Sequence, residues 1–308
     1  MGKVYVMNKE ELVSIGMPVY NDKAFLELAL DSLLRQTWSN IELIISDDCS
    51  TDGSQAICRQ YAAADQRIKY IRQPENIGIS RNMEFLLHEA KGKYFMWAAN
   101  DDEWDPEFIS VLADGLQRTP DAVVAFSNVA DIDEQGRVFN IHDPKKIDYS
   151  GSNPEERIRK LIRVFYDGFG YGLFVRESIL GVRFPVWWWV NKTCAYNNIY
   201  PTLCFYLTRG NYVQCGDRPL WRNRFKNAGH VNHKVPYPNN YIRGNFAHLL
   251  RRFNLVTRSL GSIRNAGGKT ALVAGVFFPM FRLWFLKPVY YELIGTSKKL
   301  IKGEIKFW

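Results

Sequence analysis

This chain lacks any cysteine pair in CxxC spacing: its five cysteines are Cys49, Cys58, Cys194, Cys204 and Cys215. No zinc knuckle or redox dithiol is therefore written into it, and the odd count argues against a disulfide framework. A reducing, cytoplasmic setting is the expectation that follows. A secretory leader is not expected either, because Met1-Gly2-Lys3-Val4 leads straight to Lys9-Glu10-Glu11. No apolar run reaches the roughly 20 residues that cross a bilayer. Repeats and low-complexity stretches are missing, which excludes solenoids and arrays. Acidic residues are scarce at one end only: from Asn240 onward stand twelve Lys and Arg against two Glu, leaving residues 1–239 with 28 basic and 30 acidic. The formal charge of +8 thus belongs to the tail and not to the body.

What is present is an alternation of short apolar runs with helical patterns. Leu12–Met17 reads as a strand closed by Pro18, and Ala24–Arg35 as a helix with Phe25, Leu28, Ala29, Leu33 and Leu34 on one face. Ile41–Ser46, Ile68–Ile71, Tyr94–Ala99 and Ala122–Val129 read as further strands. Between them lie helices over Ser54–Ala64, Ser80–Ala90 and from Pro106 to about Arg118, Pro being favoured in a helix's first turn. Strands alternating with helices predict an α/β fold, a mostly parallel sheet flanked by helices. Past Asp131 the pattern weakens, with a helix expected near Glu155–Phe165 and a strand at Tyr212–Cys215. The spacing divides the chain into a body over 1–239, in halves of about 1–130 and 131–239, and a tail over 240–308.

Four polar clusters fall at the expected strand ends. Pro18-Val19-Tyr20-Asn21 sets an aromatic ring beside an amide, which suits stacking on a base and bonding to a ribose; a plain surface loop is the alternative. Asp47-Asp48-Cys49-Ser50-Thr51-Asp52 follows the second strand, with Asp48 placed to accept from a base or ribose and Asp52 or Ser54 to cap the next helix. Asn76-Ile77-Gly78-Ile79-Ser80-Arg81-Asn82 is a turn entering a helix. There Arg81 offers a fork for phosphate, or a salt bridge to one of the aspartates. Asn100-Asp101-Asp102-Glu103-Trp104-Asp105-Pro106 presents hard oxygen ligands of the kind that hold Mg²⁺ or Mn²⁺ together with substrate phosphates. In an open α/β sheet, ligands bind beyond the carboxyl ends of the strands, where these clusters lie.

In this order, and together with Gln36-Thr37, the clusters resemble the family-2 glycosyltransferases of GT-A fold; the resemblance covers roughly Leu12 to Val129. It implies a GT-A, Rossmann-like domain that takes a nucleotide-diphosphate sugar. Pro18, Tyr20, Asn21, Asp48, Arg81 and Asn100 would lie around the donor, and Asp101 and Asp102 would hold a Mg²⁺ or Mn²⁺ ion. The implied reaction is sugar transfer with inversion to a glycan or lipid-linked acceptor in surface polysaccharide synthesis; a polyprenyl phosphate acceptor is the variant. Two positions depart from the family pattern. Ala99 stands where many members have the first acid of their metal motif, and Asn197-Asn198 stand where inverting members carry the acid pair that supplies the catalytic base. Asparagine cannot take a proton in that role. Asp217 is then the first alternative base, with Asp167 and Glu177 behind it, and His230 is a further candidate metal ligand. Trp187-Trp188-Trp189 would line a sugar site or a core.

The tail reads as a basic helix over Phe246–Arg264, a Gly-Gly break, and Thr270–Leu286, apolar but interrupted by Pro279 and Arg282. With Phe277, Phe278, Phe281, Trp284 and Phe285, it fits a segment lying in a membrane interface, or else a helix packed on the body. Peripheral contact at the cytoplasmic face is the expectation. A basic tail with aromatics also raises nucleic-acid binding. The acidic clusters on the body argue against that partner, and a silent nucleotide-sugar-binding scaffold is the remaining rival.

Overall fold

The computed structural model describes residues 11–142, 150–164, 168–184, 200–225 and 256–286. β1 (Val13–Val19), β2 (Ile41–Asp47), β3 (Ile68–Arg72) and β4 (Tyr94–Trp97) form a parallel set in the order β3-β2-β1-β4. Parallel strands carry helices on both faces, so β1 and β2 are apolar almost throughout. Alternate side chains of β2 divide between two cores. Leu43 and Ile45 join Val13, Ile15 and Met17 under α1 (Leu26–Leu34), α2 (Ser54–Ala64) and the helix over Phe108–Arg118. Ile44 joins Leu86 and Leu87 of α3 (Ile79–Glu89) on the other face. The buried residues of α1, Leu26, Ala29, Leu30 and Leu33, recur every three to four positions and form one apolar stripe.

Pro18 lies inside β1 instead of closing it. Pairing of β1 with β4 stops near Gly16, whose carbonyl accepts from Ala98, and Pro18 faces that same side two residues on. The donor it lacks would have met no strand there. Pro106 likewise precedes its helix by two residues: β5 (Glu103–Trp104) comes first, and α4 (Phe108–Arg118) begins after the turn.

Beyond β4 the order continues with β8 (Leu173–Val175), β6 (Ala122–Ile132), β9 (Asn211–Arg224) and β5, with β7 (Val138–Ile141) on β6, making nine strands among the described residues. β6 runs parallel to β9, while β8 is antiparallel to both β4 and β6. The carboxyl ends of β6 and β9 therefore share an edge with those of β1, β2 and β4. β7 hairpins back on β6 at that edge. α5 (Pro154–Val164), the short α6 (Arg176–Ile179) and α7 (Tyr200–Arg209) cover the face carrying Trp97. Its indole meets Phe95, Phe174 and Phe184 edge-on at 4.7–5.6 Å and stacks on Tyr206 at 6.1 Å.

The described part of the tail docks on this face too. Val256 and Ile263 of α8 (256–265), and Val276 and Met280 of α9 (Thr270–Met280), are buried in the same core. Pro279 cannot donate to the carbonyl of Gly275, four residues back. The Arg159 guanidinium supplies that bond from α5 at 2.6 Å, which lets α9 continue past its proline. Among the described residues, no helix is long and apolar enough to cross a membrane.

Candidate active site at the carboxyl edge of the sheet

Three loops leave adjacent parallel strands and are cross-linked where they meet. From β1, the backbone N–H of Asn21 donates to Ser50 Oγ (3.0 Å), and Asn21 Oδ1 accepts from the Thr51 N–H (2.7 Å). From β4, Asn100 Nδ2 donates to the Asp22 carbonyl at 3.1 Å. Asn21 and Cys49 hold positive φ, 47° and 64°, a conformation that costs non-glycine residues about 1 kcal/mol or more and persists where surrounding bonds impose it. These contacts give Asn21 and Asn100 the work of joining loops. Tyr20, next to Asn21 in the chain, is half exposed.

The two acids after β2 divide their labour. Asp47 is fully buried, accepting from the Ser50 N–H at 2.8 Å and the Tyr70 hydroxyl at 2.7 Å, with Arg72 beside it at 3.6 Å. Asp48, 2% exposed, accepts the backbone N–H groups of Ile77 (2.6 Å) and Gly78 (2.9 Å), one on each oxygen. Gly78 makes this possible with φ of +81°, which brings its N–H to the carboxylate as α3 begins. Burial pushes the Asp48 carboxyl up from its ordinary range, against the two N–H bonds that pull it down. Each carboxylate oxygen has a second acceptor position, so its part toward a nucleoside stays compatible with this bonding. Arg81 is exposed in the first turn of α3 and forms no ion pair with the aspartates among the described residues.

At the fourth cluster, Asp101 and Asp102 separate. Asp102 is turned into the fold, 3% exposed, with Oδ1 accepting from the Arg224 N–H (2.9 Å) and Oδ2 from the Trp221 indole N–H (2.9 Å). Burial, with Asp101 alongside, raises its carboxyl to about 7. Asp102, expected beside Asp101 at a cation, is placed by these bonds as an anchor of β9 beneath the acidic turn. Asp101, only partly buried, is the carboxylate that remains at the edge. Among the described residues no three acid, histidine or cysteine side chains cluster as metal ligands. One carboxylate with donor phosphates still matches how Mg²⁺ is held, by one or two carboxylates and substrate oxygens. Gln36-Thr37 supports the turn from below, Gln36 Nε2 donating to the Asp105 carbonyl at 2.7 Å and Gln36 Oε1 accepting from the Ile109 N–H.

The alternative bases fare differently. Asp217 lies in an exposed bulge of β9 beside Gly216, level with Asn128 of β6. The edge of the site is at Ile132 and Arg224, four residues and about 13 Å further on. The bulge is held the other way, Arg218 pairing with Asp105 and Glu107. Glu177 follows β8, whose last residue pairs with Tyr94 at the start of β4, so it sits at the opposite edge of the sheet. Asp167, Asn197-Asn198, Trp187-Trp188-Trp189 and His230 lie outside the described residues.

A family model, glycosyl transferase family 2, matches residues 14–181, more than half of the chain. The chain belongs to this family. Among relatives of this family-2 chain is the Escherichia coli (strain K12) protein named as colanic acid biosynthesis glycosyl transferase WcaA, 33% identical over 195 residues, or 62% of each chain. The Bacillus subtilis (strain 168) protein named as teichuronic acid biosynthesis glycosyltransferase TuaG is 38% identical over 97 residues, covering 32% of this chain and 38% of that one. The match thus spans less than two thirds of these relatives' own length. Among solved structures, S. aureus TarS 1-349 in complex with UDP-GlcNAc superposes over 88% of this chain and 73% of that one, with a TM-score of 0.62 at 15% identity, a likeness of fold.

The family motifs omit the residue that ties the site together. Arg224, its side chain 1% exposed, pairs with Glu103 and donates Nε to the Asp101 carbonyl (3.0 Å) and Nη1 to the Asp133 carbonyl (2.9 Å). Its guanidinium also lies 4.5 Å from the centre of the Phe25 ring. No local signal in Arg222-Asn223-Arg224 distinguishes the second arginine from the first; only the pairing of β9 with β6 and β5 does.

Proposed function

We propose that the chain is a glycosyltransferase moving a sugar from a nucleotide-diphosphate donor to a glycan or lipid-linked acceptor, with inversion, in surface polysaccharide synthesis. The observation carrying this reading is the meeting of the β1, β2 and β4 loops at one edge, with Tyr20 exposed and Asp101 on the same rim. Tyr20 stacks on the base, Asp48 takes a nucleoside N–H or hydroxyl with its unused acceptor positions, and Arg81 faces the diphosphate. Pro18 shapes the loop that carries Tyr20. Asp101 would hold Mg²⁺ or Mn²⁺ together with the donor's phosphates; when bound, the ion neutralises charge developing on the diphosphate. Relatives named for colanic and teichuronic acid synthesis support a polysaccharide acceptor.

Thermal-shift titration with UDP-, GDP- and dTDP-sugars, with and without Mn²⁺, tests the donor reading. At least one donor should stabilise the wild type, and Tyr20→Ala should weaken it about tenfold, stacking on an aromatic ring being worth roughly 1–3 kcal/mol per base. Tyr20 is half exposed, so its loss should leave the unliganded protein's Tm within about 1 °C. A wild type that responds to no donor rejects the proposal.

We further propose that α9 rests on a membrane surface. It buries Val276 and Met280 inward while Phe277 and Phe278 point out, 46% and 63% exposed. Lys269, Arg264 and Arg282 are exposed on or beside the same segment. Aromatic rings flanked by cations suit the headgroup region of anionic bilayers. Phe277→Ser with Phe278→Ser should cut co-sedimentation with phosphatidylglycerol vesicles about tenfold or more, given roughly 1.5–3 kcal/mol for fully burying each ring. Equal sedimentation of both proteins would reject this contact.

A further inference from the structure

A cavity of about 460 Å³ lies between α8, the start of α7 and the turn after α6, among residues that the roles above leave unassigned. Its walls include Arg183, Phe184, Pro201, Arg258, Ser262 and Asn265. Two arginines, a serine and an asparagine thus border one space, and none of the described residues that line it is acidic. A guanidinium offers N–H donors in a planar fork suited to phosphate oxygens, and a hydroxyl or carboxamide adds further donors. Glu84 accepts from Arg183 Nη1 at 2.9 Å and from the Phe184 N–H at 2.8 Å, which fixes this side of the cavity. The Arg183 side chain stays 70% exposed all the same. Pro201 stands in the first turn of α7, a ten-residue helix, so the positive end of that helix borders the same space.

Its position joins the sheet edge to the tail. Phe184 is buried, and its ring meets the Trp97 indole at 5.4 Å. Trp97 ends β4, four residues before Asp101, so the cavity backs onto the strand that carries the acidic turn. On the other side, α8 contributes Arg258, Ser262 and Asn265. Val256 and Ile263 of the same helix share one core with Val276 and Met280 of α9. Asn265 and Thr270 are five residues apart, so one helical pair carries both the cationic wall and the exposed Phe277 and Phe278. A soluble anion would use the cations alone. A phosphate on a lipid would use the apolar surface as well, and the two occur together.

We propose that this cavity binds the phosphate or diphosphate headgroup of a lipid-linked acceptor, held at a bilayer by α9. The inference rests on the glycosyltransferase reading and names the acceptor's chemistry within it. Arg183 and Arg258 supply charge-assisted N–H bonds to the phosphate oxygens, roughly twice as strong as neutral ones, and Ser262 and Asn265 complete the donor set. A phosphate monoester or diphosphate carries more charge and more unesterified oxygens than the phosphodiester of an ordinary phospholipid. Two guanidinium forks therefore favour the former. Free phosphate or pyrophosphate shares this chemistry but lacks the chain that the apolar side of α9 would favour.

The test uses the full chain in EDTA, so that no divalent ion recruits phosphate to Asp101. Pyrophosphate binding is followed by calorimetry. Co-sedimentation compares phosphatidylcholine vesicles carrying phosphatidic acid, a phosphate monoester, with others carrying phosphatidylglycerol at matched surface charge. Wild type should bind pyrophosphate and prefer the phosphatidic acid vesicles about tenfold. Arg258→Gln should weaken pyrophosphate binding about tenfold or more, the scale of a hydrogen bond to a charged group, and erase the preference. Its Tm should stay within about 2 °C of wild type, because the residue is exposed. Ser262→Asp, which puts a carboxylate into the cavity, is the second variant and should abolish both. Arg163→Gln, exposed on α5 and outside the cavity, should leave both within twofold. A wild type that binds no pyrophosphate, or an Arg258→Gln protein that binds it equally well, overturns the phosphate site. Pyrophosphate binding with no preference for phosphatidic acid overturns the lipid-linked acceptor. Titration with nucleotide sugars and Mn²⁺ separates the two readings. If a donor binds and no phosphate does, this inference alone fails; if phosphatidic acid binds and no donor does, the glycosyltransferase reading fails and takes the acceptor role with it.

Discussion

Asp101→Asn should abolish metal-dependent sugar transfer while leaving the fold intact. The substitution keeps the shape of the side chain and removes the carboxylate of the Asp101-Asp102 pair that is not turned inward. Removing a single group that stabilises developing charge typically costs about 2.7–4 kcal/mol of barrier, or roughly 10²–10³ in kcat. Turnover should fall by about that factor, and the extra thermal stabilisation that Mn²⁺ gives the donor complex should disappear. Unliganded Tm should move by less than about 2 °C, because the position is partly exposed. Asp102→Asn should behave in the opposite way: it puts an amide against two N–H donors in a buried place and should damage stability first. Full transfer by Asp101→Asn would remove the metal from the proposal.

That contrast also marks what the sequence could and could not convey. Asp101 and Asp102 are neighbours of one type, and no periodicity says which faces solvent. The answer lies in Trp221 and Arg224, about 120 residues away, whose N–H groups claim Asp102. The parallel strands β1 to β4 were legible because burial on both faces forces near-continuous apolar runs and because each is followed by an amphipathic helix. β8 was not: its three residues, Leu173–Val175, carry too few positions to show a period, and they are a strand only because β4 and β6 lie on either side. The same holds for β5, two residues long and defined by β9. β9 was read as four residues because Gly216-Asp217-Arg218-Pro219 looks like a turn, whereas it is a bulge after which pairing with β6 resumes. With the strand ending at Cys215, Asp217 would stand at its carboxyl end; with the bulge, it stands level with Asn128 of β6. Asp48 stands out in the sequence as a candidate, but its bonds to Ile77 and Gly78 show the second and third motifs to be one structural unit, which spacing alone does not reveal.

Arg224→Met should give the largest loss of stability of any single change near the site. The guanidinium is buried, pairs with Glu103, donates to the carbonyls of Asp101, Asp133 and Glu134, and stacks on Phe25. Methionine fills much of the volume but none of the bonding, leaving Glu103 without its closest cation and three carbonyls to find other donors. Breaking a buried pair by removing one partner costs about 3–5 kcal/mol, which should lower Tm by roughly 6–10 °C in a protein of this size. Arg224→Lys should recover little of it. A single ammonium cannot reach partners on the β6–β7 turn, β5 and the acidic turn together, whereas the planar fork does so with donors fixed in direction. Because one of those partners is the Asp101 carbonyl, the residual folded fraction of Arg224→Met should also bind donor with weakened metal dependence. A Tm within 2 °C of wild type would show that the acidic turn is held by Asp102 and Gln36 alone, and that Arg224 merely fills space beneath it.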